Sequence, residues 1–273
     1  MKLRLTAYFH EFSEHRALRF MPRIVSVMLL VLWLMTLPYC TLIWGPNNVV
    51  MRSGMPNSIL ENLVFHLYYR PGMFPWIYSI HALSLLLALW NTAWSFVPRL
   101  VGWFTGLMLY NTAPGLYGSG ALLLLAISFF LIPVHYGTMR PWRQWLNSTS
   151  LIAMRLQTLV VLITISLFMW GSNQWKEGTA LYYLSHQTSN IRQFASSIVP
   201  SGNSILHLLT YTVLLTTTAM PILFIWRHTR YFGVLLILLA GIVSLPVFTN
   251  MAIGFAILVL AMPWLDARDG YDS

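Results

Sequence analysis

The sequence predicts an all-α integral membrane protein, a polytopic bundle of about eight transmembrane helices with its N-terminus and C-terminus in the cytoplasm. Three observations support this fold class: the composition, the length of the apolar runs and the distribution of basic residues. The chain of 273 residues is 57% hydrophobic and only 8% charged, whereas a soluble globular domain carries about 25% charged residues. Because so few charged side chains are available to contact water, much of the surface is expected to face lipid.

Eight apolar runs approach the length that a helix needs to cross a bilayer, about 20 residues for a hydrocarbon core of about 30 Å. The third run is short, and the last two form a closely spaced pair, so the ends of these three are the least defined. The predicted spans are Ile24–Trp44, Pro75–Trp94, Leu100–Pro114, Leu116–Val134, Leu151–Trp170, Ile205–Ile225, Tyr231–Val247 and Asn250–Leu265.

Basic residues orient the chain. If the N-terminus is cytoplasmic, most of them fall on the inner side, and Arg155 falls near the inner end of the fifth span. This asymmetry follows the positive-inside rule. It also explains the net charge of +9 through contact with membrane lipid, so no nucleic-acid partner is predicted. The outer segments hold only Arg52, Arg70, Lys176 and Arg192.

The predicted organisation has three parts. Residues 1–23 mix basic and apolar side chains, which is typical of an amphipathic helix on the cytoplasmic membrane surface rather than of a cleavable signal. The transmembrane bundle covers residues 24–265, and residues 266–273 form a cytoplasmic tail. Two outer segments, 45–72 and 171–204, are long and rich in apolar and aromatic residues, so short helices folded onto the outer face are expected in both.

Ionisable side chains at membrane depth are few. No Asp or Glu lies in any predicted span, which argues against a proton-coupled transporter. His81 and His207 are possible haem ligands, but four-helix cytochromes use two histidine pairs, so a hydrogen bond to a neighbouring helix is the simpler interpretation. Arg155 suits either snorkelling to the interface or an anionic headgroup or carboxylate.

Small and hydroxylic residues predict helix contacts. Gly102 and Gly106 have the spacing of close helix packing, and the run GLYGSG (115–120) beyond Asn111 predicts a break in the helix. In the run TYTVLLTTTAMP the threonine hydroxyls are expected to bond back to their own helix, beside a kink at Pro221. The sequence contains none of the common phosphate-binding, hydrolase or metal-binding motifs, so it identifies no cofactor and predicts no metal.

The segment WKEGTALYYLS, which follows the fifth span, resembles a motif of the HTTM proteins. This family of membrane domains includes the vitamin K-dependent gamma-carboxylases and bacterial proteins of the sporulation-delaying-protein-B type. Arg155 and Gln157 resemble the R-L-x-Q-like helix start of many bacterial members. Asn111, Tyr117 and Gly118 resemble a carboxylase run that ends in Tyr-Gly. The pattern W-x-E-G-x-x-x-x-Y-L-S is matched by Trp175, Glu177, Gly178, Tyr183, Leu184 and Ser185.

The chain departs from the carboxylases at the positions that matter for their reaction. The carboxylase base is a lysine about five positions before the motif tryptophan, and Trp170 stands there in a segment without lysine. Lys176 would replace it only if the loop were rearranged. The carboxylase histidine expected near Asn111 is also missing, since the chain continues with Thr112 and Ala113. Glutamate carboxylation is therefore not expected.

The resemblance to the short bacterial members implies an integral protein of the bacterial cytoplasmic membrane that helps to mature, modify or export a secreted peptide or protein. It also implies a protein or peptide client and partner membrane subunits. The sequence leaves open whether the protein is catalytic. The alternatives are a non-catalytic structural subunit of a larger membrane complex, or a haem- or quinone-binding membrane protein with His81 and His207 as ligands. The working surface is expected on the outer face. The residues of the candidate functional surface are Trp175, Glu177, Gly178, Tyr183, Arg155, Gln157, Asn111 and Tyr117.

Overall fold

The computed structural model describes residues 16–40, 73–90, 94–111, 114–135, 141–187, 203–247 and 251–265. Within these ranges the protein is helical and has no strand. The chain forms two compact units, Met1–Leu151 and Ile152–Ser273.

The first unit contains α1 (Arg16–Thr36), α2 (Met73–Ala88), α3 (Phe96–Asn111) and α4 (Pro114–Leu131). The long helix α5 (Pro141–Gly171) begins in the first unit and continues into the second. The second unit adds α6 (Asn173–Lys176), α7 (Ala180–Gln187), α8 (Asn203–Ile225), α9 (Arg230–Val247) and α10 (Met251–Ala261). Short 3₁₀ turns lie at Leu37–Tyr39, Arg227–Thr229 and Met262–Trp264.

Each of the eight predicted apolar runs lies largely on a helix, which confirms the all-α class over the described residues. Three stretches, Phe20–Tyr39, Pro141–Gly171 and Ser204–Ile225, are long and apolar enough to cross a membrane. These helices are compatible with a membrane location. Eight spans and the orientation of the termini stay predictions. Shorter apolar helices lie at Pro75–Ala88, Gly120–Leu131, Arg230–Ile242 and Ala252–Trp264.

Helix α5 starts at Pro141, well before the predicted span boundary at Leu151. A proline suits the first helical position because no N–H is needed there. The Ser148 hydroxyl donates to the carbonyl of Gln144 at 3.0 Å, and the Thr149 hydroxyl donates to that of Trp145 at 2.9 Å. The hydroxyls thus find hydrogen-bond acceptors on their own helix. A polar stretch that hydropathy leaves out of the predicted span is therefore still helical.

Two further boundaries differ from the predictions. The run 115–120 does not break the helix, because it lies inside α4, which begins at Pro114. Since α3 ends at Asn111, the interruption falls between these two helices. The predicted boundary between residues 1–23 and the first span falls inside α1, a helix that runs continuously through Pro22. Residues 1–15, the outer segment 45–72 and the tail 266–273 lie outside the described residues.

In the first unit, α1 and α2 are joined through Trp33 and Tyr78. Their rings stack with centroids 4.8 Å apart. The Trp33 indole donates to the backbone carbonyl of Tyr78 at 3.2 Å, and the Tyr78 hydroxyl donates to that of Trp33 at 3.1 Å. Each aromatic residue therefore binds the backbone of the other.

The two glycines of α3 lie at close helix contacts, as their spacing predicts. A Cβ on Gly102 would lie 2.9 Å from the hydroxyl oxygen of Ser84 on α2. A Cβ on Gly106 would lie 2.7 Å from Cδ2 of Leu125 on α4 and 3.0 Å from Cε1 of His81 on α2. The small residues therefore allow α3 to approach both neighbours.

In the second unit, α8, α9 and α10 pack in sequence, and Pro221 lies within α8. The predicted back-bonding of threonines in α8 is confirmed, since Thr210, Thr212, Thr216 and Thr218 each donate to the carbonyl four residues earlier. A core cluster joins α5, α8, α9, α10 and the 3₁₀ turn that follows α10. Its buried residues are Leu162, Met220, Phe224, Val234, Ile237, Ala261 and Trp264.

Candidate functional site

The motif segment forms a tight reversal between α6 and α7. The Glu177 amide donates to the carbonyl of Asn173 at 2.8 Å, and the Thr179 amide donates to that of Gln174 at 2.9 Å. Between them Gly178 has φ +75°, the one positive φ among the described residues. Glycine adopts this left-handed conformation without the penalty that a Cβ imposes. The W-x-E-G pattern is therefore a helix end followed by a glycine turn.

Helix α8 holds this turn in place. The Tyr211 hydroxyl donates to the backbone carbonyl of Lys176 at 2.9 Å, and the Leu181 amide donates to the Thr210 hydroxyl at 3.4 Å. A Cβ on Gly178 would lie 2.8 Å from Nδ1 of His207 and 2.9 Å from Cε2 of Tyr211. Gly178 is thus required both by its backbone angle and by the approach of α8.

The turn and the start of α7 also carry exposed side chains. Glu177, Tyr182 and Tyr183 are exposed, and Trp175 is partly buried. The two tyrosine rings meet edge to face with centroids 5.7 Å apart. Glu177 is the only carboxylate in the part of the chain that the structure describes. We call these four residues the turn surface.

Trp170, which occupies the position of the carboxylase lysine, connects α5 to α8. Its indole donates to the Thr218 hydroxyl at 2.9 Å, and the Ser166 hydroxyl donates to the same oxygen at 3.0 Å. The Thr218 hydroxyl in turn donates a hydrogen bond to the carbonyl of Leu214 at 2.8 Å. An indole N–H only donates, so this position holds two helices together and offers no base.

Arg155 and Gln157 do not join the turn surface. About 24 Å of helix separates Arg155 from Gly171 at 1.5 Å per residue. The Arg155 Nε donates to the carbonyl of Pro263 at 2.9 Å. Its guanidinium lies over the Trp264 ring, 5.2 Å from the centroid, as does that of Arg230. Arg155 therefore belongs to a second cluster, around Trp264.

Asn111 and Tyr117 belong to the first unit. Asn111 is the last residue of α3 and Tyr117 lies near the start of α4. A surface that combines them with the turn stays a prediction.

His81 is hydrogen-bonded to a neighbouring helix, as the simpler interpretation predicted. It is fully buried, and its Nδ1 lies 3.1 Å from the carbonyl oxygen of Gly102 and 3.0 Å from the hydroxyl oxygen of Thr105. Because a carbonyl only accepts, this contact places the proton on Nδ1. The edge-on ring of Tyr110 lies 5.8 Å away.

The second histidine, His207, lies on α8 in the other unit, against Gly178. Within the described ranges no three His, Cys, Asp or Glu side chains are grouped so that they could hold a metal ion. Ligation of haem by either histidine stays a prediction.

The sequence interpretation missed the residues of α8 that position the site. Thr210, Leu214 and Thr218 follow one another at intervals of four, which places them on one face of a helix. That face receives the Leu181 amide at one end and the Trp170 indole at the other. The spacing of the threonines was the available signal, although it does not identify their partners.

Comparisons of the chain with family profiles, with curated proteins and with solved structures found no match. The fold and the site therefore define a class only: a helical protein with apolar helices compatible with a membrane.

Proposed function

We propose that this chain is an HTTM-like integral protein of the bacterial cytoplasmic membrane. In this proposal it binds a secreted peptide or protein during its maturation, modification or export. The observation that supports the proposal most directly is the turn surface. Its backbone is held by α8 through the bond from Tyr211 to Lys176, while the side chains of Glu177 and Tyr183 are exposed.

A surface of this kind suits recognition. Aromatic side chains supply much of the energy at protein interfaces, and a backbone already ordered by α8 loses little entropy when a client binds. Glu177 adds a negative charge, which favours a basic client segment. In the predicted topology the fifth span runs outward, so the turn lies on the face from which a secreted client leaves.

Recognition is favoured over catalysis at this position. A general base must accept a proton within hydrogen-bond reach of its substrate. Trp170 cannot accept one, and its indole already donates to Thr218. The same observation favours a second candidate, a non-catalytic subunit of a larger membrane complex, in which the turn surface contacts a partner protein.

The decisive experiment replaces Trp175, Glu177 and Tyr183 together by alanine in the producing cell. We expect the variant to accumulate in the membrane at the wild-type level. The mature secreted product should fall at least tenfold, as measured by quantitative mass spectrometry of the culture medium against a deletion strain. The matched control replaces three exposed residues, His228 in the 3₁₀ turn before α9 and Tyr231 and Phe232 in the first turn of α9, and should leave secretion unchanged.

An unchanged set of secreted products in the triple variant would show that the turn surface has no such role. Purification in mild detergent separates the two candidates. Partners that copurify in fixed proportion, without conversion of a client, support the subunit. If the protein purifies as a single chain that converts its client over many turnovers, the non-catalytic subunit is excluded.

A further inference from the structure

The start of α5 buries polar side chains and exposes apolar ones. Asn147, Ser148 and Ser150 are buried, with at most 5% of each residue exposed. Trp142 and Trp145 are 54% and 53% exposed. This is the reverse of a water-facing surface, where large apolar side chains normally turn inward and polar ones outward. The exposed face of this segment is therefore suited to a surrounding less polar than water.

The buried polar face is fixed within the protein. The His135 backbone N–H donates to Oδ1 of Asn147 at 2.9 Å, and Nδ2 of Asn147 donates to the His135 carbonyl at 2.8 Å. The Ser148 hydroxyl donates to the carbonyl of Gln144 at 3.0 Å. Because rotation of α5 about its axis would break both bonds to Asn147, Trp142 and Trp145 stay on the outside.

The exposed face continues along the same helix. Steps of seven and four residues lead from Trp145 to Ile152 and Leu156, which keeps all three on one face of a helix with 3.6 residues per turn. Ile152 and Leu156 are 39% and 60% exposed, and the helix is long and apolar enough to cross a membrane. The two tryptophans thus extend a face that contacts lipid in the predicted topology.

Hydropathy starts the predicted span at Leu151 because it averages all faces of the helix. The residues that lower the average before Leu151 point into the protein, apart from Thr149, whose hydroxyl donates to the carbonyl of Trp145 at 2.9 Å. On the exposed face the apolar character begins earlier. A boundary at Trp145 lengthens the span by six residues, or about 9 Å, a length that a transmembrane helix accommodates by tilting.

Arg143 adds a positive charge beside the tryptophans. Its guanidinium lies 5.0 Å from the centroid of the Trp142 ring, and its charge reaches the imidazole of His135. The described residues of the first unit contain no Asp or Glu, so no carboxylate in that part of the chain opposes the charge of Arg143. An anion outside the protein is the natural complement of this group.

We propose that the start of α5 is an interfacial anchor whose partner is an anionic membrane surface. Trp142 and Trp145 lie at the headgroup level, where tryptophan is enriched. Arg143 binds the phosphates of anionic lipids, since a planar guanidinium matches their oxygens. The inference shares the membrane location with the proposed function and does not use the turn surface. Its tests measure lipid contact rather than secretion, so either proposal can fail alone.

The first test identifies what covers the exposed face. The full chain, with its single cysteine Cys40 replaced by serine, carries one nitroxide label in phosphatidylglycerol vesicles. The label is attached in turn to Thr149→Cys, Leu156→Cys and Asn173→Cys, all at exposed positions. Electron paramagnetic resonance compares contact with oxygen, which concentrates in lipid, and with a water-soluble nickel chelate. We expect Thr149→Cys to lie between Leu156→Cys in the hydrocarbon and Asn173→Cys in water.

Two outcomes of this test would overturn the proposal. A label at Thr149 that meets the nickel chelate as often as the label at Asn173 would place the face in water. A label at Thr149 that is shielded from both reagents would show that protein covers the face, either a partner or a second copy of this chain.

The second test measures recognition of the anionic headgroup. Native mass spectrometry of the purified full chain compares phosphatidylglycerol and phosphatidylcholine with identical acyl chains. Arg143→Gln should weaken phosphatidylglycerol binding about fivefold, the effect of one basic residue near an anionic surface, and leave phosphatidylcholine binding unchanged. Lys176→Gln is the matched control, because it removes one exposed positive charge in the other unit and should leave both unchanged.

This comparison can also contradict the proposal. Equal binding of the two lipids by the wild-type protein would show that no anionic headgroup is recognised. An equal loss of phosphatidylglycerol binding in Arg143→Gln and Lys176→Gln would show that net charge, and not the position of Arg143 beside Trp142, attracts the lipid.

Discussion

The Tyr211 hydroxyl on α8 donates to the backbone carbonyl of Lys176 at 2.9 Å. This bond joins residues far apart in the sequence and ends the short helix α6 against a long one. Because the acceptor is a carbonyl of the backbone, the bond fixes the path of the turn without engaging the side chains of Glu177 and Tyr183, which are exposed.

Tyr211→Phe removes this bond while it keeps the ring that Gly178 contacts. We expect the turn to lose about 1 kcal/mol of local stability, the usual net contribution of one hydrogen bond. Amide hydrogen exchange over residues 173–187 should rise about fivefold. Tyr183→Phe, at an exposed position, is the control and should change nothing. Equal exchange in the two variants would show that the bond does not hold the turn.

Gly178→Ala and Gly171→Ala form a matched pair. At Gly178 an added Cβ meets a positive φ and two side chains of α8, whereas at Gly171 nothing lies within 4 Å. We expect Gly178→Ala to lower the free energy of unfolding by about 1–3 kcal/mol and Gly171→Ala to leave it nearly unchanged. Thermal unfolding in detergent measures both, and equal melting temperatures would contradict the strain argument.

Thr218→Val should weaken the contact between α5 and α8. The hydroxyl accepts from both Trp170 and Ser166, so its loss leaves two donors without their acceptor and should cost about 1–3 kcal/mol. Thr212→Val is the control, because the Thr212 hydroxyl is exposed and donates only to its own helix at Leu208. Thermal unfolding should separate the two variants; similar melting temperatures would argue against a bridging role for Thr218.

His135 should make stability depend on pH. Burial lowers the pKa of its imidazole below the usual 6.5, and the charges of Arg143 and Arg99 lower it further. The folded state thus favours the neutral form. Keeping His135 neutral costs the folded state no stability above pH 6.5. As the pH falls from 6.5 through the lower folded pKa, the unfolded chain takes up a proton more readily than the folded one, so the free energy of unfolding decreases.

The measurement compares melting temperatures at pH 7.5 and pH 5.5 in the wild type and in His135→Gln. The wild type should lose more stability on acidification, and the difference isolates His135 from the other histidines. The substitution keeps the two bonds between the His135 backbone and the Asn147 side chain. Nδ2 of Asn147 donates to the His135 carbonyl at 2.8 Å, and the His135 backbone N–H donates to Oδ1 of Asn147 at 2.9 Å. An identical pH response in both proteins would contradict the prediction.

Hydropathy predicts where the helices lie because burial in lipid or protein requires runs of apolar residues. It fails where polar side chains bond to the backbone of their own helix, as the hydroxyls of Ser148 and Thr149 do near the start of α5. The spacing of Gly102 and Gly106 predicts close packing, since only the absence of side chains permits it.

The motif segment predicted the location of the turn but not what holds it. The contact of Tyr211 with Lys176 depends on packing between segments distant in sequence, and local patterns do not specify such partners. The resemblance assigns Arg155 to the same candidate functional surface as the turn, although the predicted topology puts Arg155 near the inner end of the fifth span. Its position on α5 instead places it beside Trp264.

The paired bonds of Trp33 and Tyr78 have a consequence for assembly of the first unit. If α1 slid along α2 by one turn, both backbone bonds and the ring stack would be lost at once, so the two helices have a single favoured register. The connecting segment is not needed to set it. Two fragments separated between residues 41 and 72 and made in the same cell should therefore find each other and reassemble in that register.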